Sequence, residues 1–115
     1  MHQQINRKKP ASPLLFLSQN NIPSTGKILH HGCGKDQPGT KLLNLKGVVT
    51  EYDINMPELN NPKSLEQVYN QVFSIFVLNC IPLNPRQKVI QKLSTISNSV
   101  FFAVRSQSDQ NYKVK

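Results

Sequence analysis

Residues 27 to 34, Lys-Ile-Leu-His-His-Gly-Cys-Gly, decide the fold of this chain. A short apolar run, Ile28 and Leu29, leads into two histidines and a Gly-x-Gly turn. This order is typical of a buried parallel strand that opens into a ligand-binding loop. Because Gly32 and Gly34 have no Cβ, the backbone there can adopt positive φ and approach a bound molecule closely. We therefore predict a strand that ends at a binding turn.

Outward from this stretch, segments with strand and helix character alternate along the chain. We predict strands over residues 27–31, 48–53, 72–78 and 100–105, and helices over 12–20, 38–45, 64–70 and 85–97. Alternation of this kind favours parallel strands joined by right-handed crossovers. The expected fold class is α/β, a reduced Rossmann-like and mostly parallel sheet of about four strands with flanking helices.

Three helix starts carry capping signals. Asp36 is expected to cap the helix that has Pro38 in its first turn. Ser64 with Gln67 predicts a capping box. Asn84 is expected to be the N-cap of the last helix.

At 115 residues the chain is expected to form a single domain. Residues 1–11 are polar and basic and predict a flexible arm, residues 12–106 an α/β core, and residues 107–115 a flexible tail. Fourteen Lys and Arg against six Asp and Glu give a net charge of +8, which favours nucleic acid or an acidic protein surface as a partner. The basic termini can equally serve only as solubilising tails.

Two cysteines, Cys33 and Cys80, are too few for a disulfide framework. The sequence shows no signal peptide and no long apolar span. We therefore expect a cytoplasmic protein with no membrane association.

Asp53 ends the second predicted strand about twenty residues after the Gly-x-Gly turn, where a carboxylate can accept hydrogen bonds from both ribose hydroxyls. By itself Asp53 is as readily interpreted as a turn-forming aspartate. Paired with the turn, it predicts a nucleoside-type cofactor that lies across Gly32 and Gly34.

With these residues the chain resembles the class I S-adenosylmethionine-dependent methyltransferases, over roughly residues 27 to 106. Residues 27 to 34 look like their first motif, Glu51-Tyr52-Asp53 like the acidic end of their second strand, and residues 73 to 82 like their fourth-strand motif. More narrowly, residues 77 to 82, Arg86 and residues 102 to 106 are similar to putative methyltransferases associated with DNA phosphorothioation gene clusters.

The resemblance implies S-adenosylmethionine as the cofactor and methyl transfer as the activity. It implies that Gly32, Cys33 and Gly34 line the methionine and ribose, that Asp53 binds the ribose, and that Asn79 faces the transferring methyl group. His31 and Leu78 complete the expected cofactor-binding residues. Asn79 is the candidate catalytic residue, although it can equally serve only to tie the strand end to a loop.

The sequence also departs from the family pattern. His30-His31 replaces the usual acid of the first motif, Asp36 replaces its third glycine, and no counterpart of the third strand is evident. A four-stranded sheet would leave an exposed edge, which a homodimer or a larger protein partner would cover. Two alternatives therefore remain open, a non-catalytic regulatory or interaction module that binds nucleic acid or protein, and an enzyme that cleaves S-adenosylmethionine.

His30, His31, Cys33 and Cys80 suggest a metal site as a further alternative. Adjacent residues on a strand point to opposite faces, so only one of the two histidines can join such a site. We therefore predict no metal, with one histidine packed in the core and the other near the pocket.

Overall fold

A computed structural model describes residues 8–104 and shows one parallel four-stranded sheet flanked by helices. The strands are β1 (Lys27–His31), β2 (Val48–Tyr52), β3 (Gln71–Ile75) and β4 (Val100–Ala103), and the α-helices are α1 (Ser12–Gln19), α2 (Gln37–Leu43) and α3 (Leu83–Ile96). Two short 3-10 helices cover Pro62–Glu66 and Leu78–Cys80. The predicted α/β fold class is confirmed, and all three strand pairs are parallel.

The strand order is β2-β1-β3-β4. The chain adds β2 on one side of β1 and then crosses over to add β3 and β4 on the other side. His31, the last residue of β1, pairs with Tyr52 of β2 and with Ser74 of β3. The carboxyl ends of these three strands therefore meet at one edge. In open parallel sheets, ligands bind at such a reversal point.

Strand alternation divides the core into two clusters on opposite faces of the sheet. On one face, Ile28 and Phe73 are fully buried against Leu14 of α1 and Leu43 of α2. The second cluster contains Leu29, Tyr52, Tyr69, Val72, Leu93 and Ile96. Burial of each large aliphatic side chain contributes about 1.5–3 kcal/mol, so both faces of β1 help to hold the sheet together.

Asp36 caps α2 as predicted, because its Oδ1 accepts a hydrogen bond from Gly39 N at 3.0 Å. Its Oδ2 also accepts from Ala11 N at 3.2 Å, which ties the start of α1 to the start of α2. Ala11 is buried in the core, although the predicted arm includes it. Residues 1–7 of that arm and the predicted tail lie outside the described residues, as do residues 105 and 106.

β3 is shorter than predicted, because it ends at Ile75 and not near Leu78. Phe76 has a φ of +61°, which interrupts the extended backbone. The chain then forms the 3-10 helix Leu78–Cys80. Nothing in the nearly continuous run of apolar residues over 72–81 indicates this break.

The two remaining capping predictions are wrong. Asn61, not Ser64, caps the 3-10 helix Pro62–Glu66, since its side chain accepts from Lys63 N at 3.2 Å, and Gln67 is extended. α3 begins at Leu83, because the carbonyl of Pro82 already accepts a hydrogen bond from Arg86 N at 3.0 Å. Asn84 therefore lies inside the first turn.

None of the helices within residues 8–104 combines the length and apolar composition that crossing a bilayer requires.

Candidate functional site

A cavity of about 500 Å³ opens at the edge where β1, β2 and β3 end. Its walls come from the turn after β1, the loop after β2, and the segment that joins β3 to α3. This volume lies within the range of small-molecule sites. The cavity thus occupies the place that the strand order favours for a ligand.

The Gly-x-Gly turn forms one wall and has the backbone conformation that the sequence predicts. Gly32 has a φ of +66° and Gly34 a φ of +53°. The carbonyl of Tyr52 accepts hydrogen bonds from Gly32 N at 2.7 Å and Cys33 N at 3.3 Å, which fixes the turn to the end of β2. A Cβ on Gly32 would collide with Cγ2 of Val77, so a side chain at this position requires Val77 to move.

Asp53 lies at this turn and is 4% exposed. Its Oδ2 accepts from Gly34 N at 2.7 Å, and its Oδ1 accepts from Asn55 N at 2.8 Å. The carboxylate therefore joins the turn after β1 to the loop after β2. Each carboxylate oxygen has a second lone pair, so Asp53 retains acceptor capacity for a ligand hydroxyl.

Asn79 reaches the cavity from the 3-10 helix after β3. Its Nδ2 is 3.7 Å from the sulfur of Cys80, whereas its buried Oδ1 has no hydrogen-bond partner among the described residues. A buried carbonyl without a donor costs about 1–3 kcal/mol.

Phe76, which also lines the cavity, holds a left-handed backbone that costs a non-glycine residue about 1–2 kcal/mol. Strain and unsatisfied polar atoms cluster at functional sites.

The two histidines of β1 line the cavity and point to opposite faces of the sheet. His30 Nδ1 is 2.8 Å from Oγ1 of Thr40 in α2, and His31 Nδ1 is 3.0 Å from Oγ of Ser74 in β3. The His31 ring also stacks on Tyr52, with centroids 5.7 Å apart. Burial lowers the pKa of each histidine to about 4, so both rings are neutral near pH 7.

The cysteines occupy different environments. Cys33 is 4% exposed, and burial, together with the charges of Glu51 and Asp53, raises the pKa of its thiol to about 12. Its thiol is therefore protonated and weakly nucleophilic at neutral pH. Cys80 is exposed, and its Sγ lies 3.5 Å from the carbonyl oxygen of Phe76.

The acidic residues of this basic chain are concentrated at the site. Only six Asp and Glu occur in the whole sequence, yet Asp36 and Asp53 line the cavity and Glu51 lies close enough to act on Cys33. Lys35 is the positive side chain among the lining residues. The cavity therefore favours a ligand that carries hydrogen-bond donors and positive charge.

Six of the seven residues that the sequence nominates line this cavity, namely His31, Gly32, Cys33, Gly34, Asp53 and Asn79. Leu78 is buried and is not among the residues that line the cavity.

Comparisons with protein-family models, with curated proteins and with solved structures found no match to this chain.

Across residues 8–104, no group of three or more His, Cys, Asp and Glu side chains is arranged to hold a metal ion. The candidate ligands are dispersed, because His30 bonds to Thr40 on one face of the sheet and His31 to Ser74 on the other.

Sequence reasoning misses three features of the site. The strained Phe76 has no sequence signal, since phenylalanine rarely adopts positive φ. Val77 fills the space over Gly32, a contact that only the fold creates. His30 is identified in the sequence as a departure from a motif and as a candidate metal ligand, but its link to Thr40, which joins β1 to α2, is not.

Proposed function

We propose that the cavity binds S-adenosylmethionine and that the chain transfers its methyl group to an acceptor. The observation that carries this proposal is the 2.7 Å hydrogen bond between Gly34 N and Asp53 Oδ2. It brings a carboxylate to a turn with two left-handed glycines, on the wall of a cavity of suitable size. That combination is suited to the sugar of an adenosine.

The residues present fit this cofactor. Its ribose supplies hydroxyl donors for the remaining lone pairs of Asp53. Its sulfonium and ammonium are cationic and suit a cavity in which Asp36 and Asp53 supply negative charge. The bare backbone at Gly32 would lie against the middle of the molecule, between the ribose and the amino-acid end.

S-adenosylmethionine supplies a methyl group on a sulfonium, and in-line displacement of that group depends mainly on alignment and proximity. Asn79 is the residue of this chain that is suited to place an acceptor. Asn79 lines the cavity, and its side-chain amide has a hydrogen-bond donor and an acceptor with which to hold an acceptor amine. The chain requires no general base when the acceptor is already nucleophilic.

The test is calorimetric titration with S-adenosylmethionine and with its demethylated product, supported by thermal shift. We expect saturable binding of both molecules. Asp53→Ala should abolish binding, whereas Glu58→Ala should not, because Glu58 is exposed and does not line the cavity. Absence of heat and of any thermal shift at millimolar ligand would overturn the proposal.

A second candidate function, as a nucleic-acid or protein interaction module, is favoured by the net charge of +8. α3 contains Arg86, Lys88 and Lys92 and no acidic residue, and both lysines are exposed. Binding of a DNA or RNA oligonucleotide should then weaken steeply as salt is added. A flat salt response, or no binding at low salt, would exclude nucleic acid as the partner.

A further inference from the structure

The outer face of α3 differs in composition from an ordinary solvent-facing helix surface. Its exposed polar residues comprise three amides, two lysines and two hydroxyls, namely Asn84, Gln87, Lys88, Gln91, Lys92, Ser94 and Thr95. Solvent-facing helix surfaces are commonly stabilised by Glu and Lys pairs four residues apart. α3 has no acidic residue at all, not even in its first turn, where the helix dipole favours one. The charge on this face is therefore exclusively positive.

The exposed residues of α3 form two adjacent rows, because side chains four residues apart lie on the same side of a helix. The two rows are Asn84, Lys88 and Lys92, and Gln87, Gln91 and Thr95. Lys88 and Lys92 are therefore like charges at a spacing that destabilises an isolated helix. This pair does not serve the stability of α3 itself, whereas an external anion would neutralise it.

The glutamines and lysines of these rows are free to contact a partner. The side chains of α3 that form hydrogen bonds are those of Arg86, Ser94 and Thr95, and each of them donates to a backbone carbonyl. Among residues 8–104, no hydrogen bond or ion pair uses the side chain of either glutamine or either lysine. Their donors and acceptors are therefore exposed to solvent and uncommitted within this part of the chain.

The position of α3 leaves this face accessible. α3 packs on the sheet through Leu93, whereas α1 and α2 pack on the opposite face. Within the described part of the chain, no second α-helix therefore lies beside α3. The 3-10 helix Pro62–Glu66 contacts α3, and its exposed Lys63 and Glu66 carry opposite charges that offset each other. The positive charge of the outer face is thus not neutralised by its neighbours.

We propose that the outer face of α3 binds duplex DNA in the major groove, with Lys88 and Lys92 on phosphates and Gln87 and Gln91 at base edges. Lysines that neutralise phosphates release the counterions of DNA, and a glutamine amide can donate to and accept from adenine. The major groove of B-form DNA admits an α-helix, whereas that of duplex RNA is too deep and narrow for side chains to read. The inference develops the second candidate function and requires no cofactor.

The role of the lysines is tested by the salt dependence of binding to a short fluorescein-labelled DNA duplex, followed by anisotropy. The double variant Lys88→Gln/Lys92→Gln should reduce the slope of log affinity against log salt concentration by about 0.9 for each lysine. The matched control, Lys41→Gln/Lys46→Gln, removes the same charge from exposed lysines in and after α2 and should leave the slope unchanged. A slope that falls equally in both double variants, or in neither, would overturn the inference.

The role of the glutamines is tested with two DNA duplexes, one rich in A·T pairs and one made of G·C pairs. We expect the unaltered protein to prefer the first, and Gln87→Ala/Gln91→Ala to reduce that preference by about fivefold or more. Ser94→Ala/Thr95→Ala is the control, because both hydroxyls already donate to carbonyls of α3. An unchanged preference in the glutamine variant, or equally tight binding of an RNA duplex of the same sequence, would contradict binding in the major groove.

These outcomes are separable from those for methyl transfer. Neither Lys88 nor Lys92 lines the cavity, so their double variant should bind S-adenosylmethionine as the unaltered protein does. If the unaltered protein binds S-adenosylmethionine but no DNA, the inference about α3 is wrong and the proposed function stands. If it binds DNA with the expected salt dependence but not the cofactor, the proposed function fails and the inference stands. Circular dichroism checks that each variant is folded.

Discussion

The carboxylate of Asp53 and the backbone N–H of Gly34 are joined by a 2.7 Å hydrogen bond, although 19 residues separate them in the chain. This bond connects the end of β2 to the turn after β1. A single carboxylate thereby shapes the turn and forms part of the cavity wall. Loss of Asp53 should consequently affect both stability and ligand binding.

Substitution of Asp53 tests this dual role. In Asp53→Ala, the N–H groups of Gly34 and Asn55 lose their acceptor. We expect the free energy of unfolding to fall by about 1.5–3 kcal/mol, as for hydrogen bonds to a charged group. Urea unfolding measures the change, with Glu58→Ala as the exposed acidic control. A stability equal to that of the control would mean that the bond is not formed in solution.

Gly32→Ala should destabilise the protein for two separable reasons. The first is the φ of +66°, which costs a non-glycine residue about 1–2 kcal/mol, and the second is the collision of the new Cβ with Val77. Adding Val77→Ala should relieve the collision but not the backbone cost. The double variant should thus be more stable than the sum of the single changes predicts. If the two changes in unfolding free energy were strictly additive, the new Cβ at position 32 would not contact Val77.

Protonation of His30 and His31 predicts acid sensitivity. Each folded pKa is about 4 against an ordinary value of 6.5, so the unfolded chain takes up protons that the folded chain does not. The contribution of the two neutral rings to the free energy of unfolding is therefore complete above pH 6.5. It is lost as the pH falls toward 4, by up to about 3 kcal/mol for each ring.

Unfolding free energies measured across this pH range check the prediction. His31→Gln removes one titrating group, so the unfolding free energy of this variant should depend less on pH. An unchanged pH dependence in this variant would show that His31 is already charged or exposed in the folded protein.

Asn79→Leu should separate stability from function. Because Oδ1 of Asn79 is buried without a partner, replacing the amide by an apolar group of similar size should leave the unfolding free energy unchanged or raise it. If the chain transfers a methyl group as proposed, that transfer should fall, since the variant cannot hold an acceptor amine. Asn60→Leu, at an exposed position, is the control. A loss of more than about 2 kcal/mol in Asn79→Leu would indicate a structural role instead.

The cysteines should react at very different rates with a thiol reagent such as Ellman's reagent. Cys80 is exposed and should be modified first, whereas Cys33 is 4% exposed, with a pKa raised to about 12. Cys80→Ser should therefore eliminate the fast phase, and Cys33→Ser should leave it intact. A fast phase that persists in Cys80→Ser would show that the turn opens readily.

Local signals predict much of the framework. The bounds of β1, the Asp36 cap and the positive φ of both turn glycines depend on residues close together in sequence, and each is confirmed. Local signals do not predict the end of β3 or the start of α3. These bounds depend on the left-handed backbone at Phe76 and on the hydrogen bond that the Pro82 carbonyl accepts, and the apolar pattern indicates neither.

By itself the sequence determined the alternation of strands and helices, the glycine turn and the acidic end of β2, because hydrophobic period and backbone freedom are local properties. Only the tertiary structure decided the order β2-β1-β3-β4, the cavity at the shared strand ends and the link from His30 through Thr40 to Glu51. These features join residues distant in the chain, and packing of the helices on both sheet faces sets their distances.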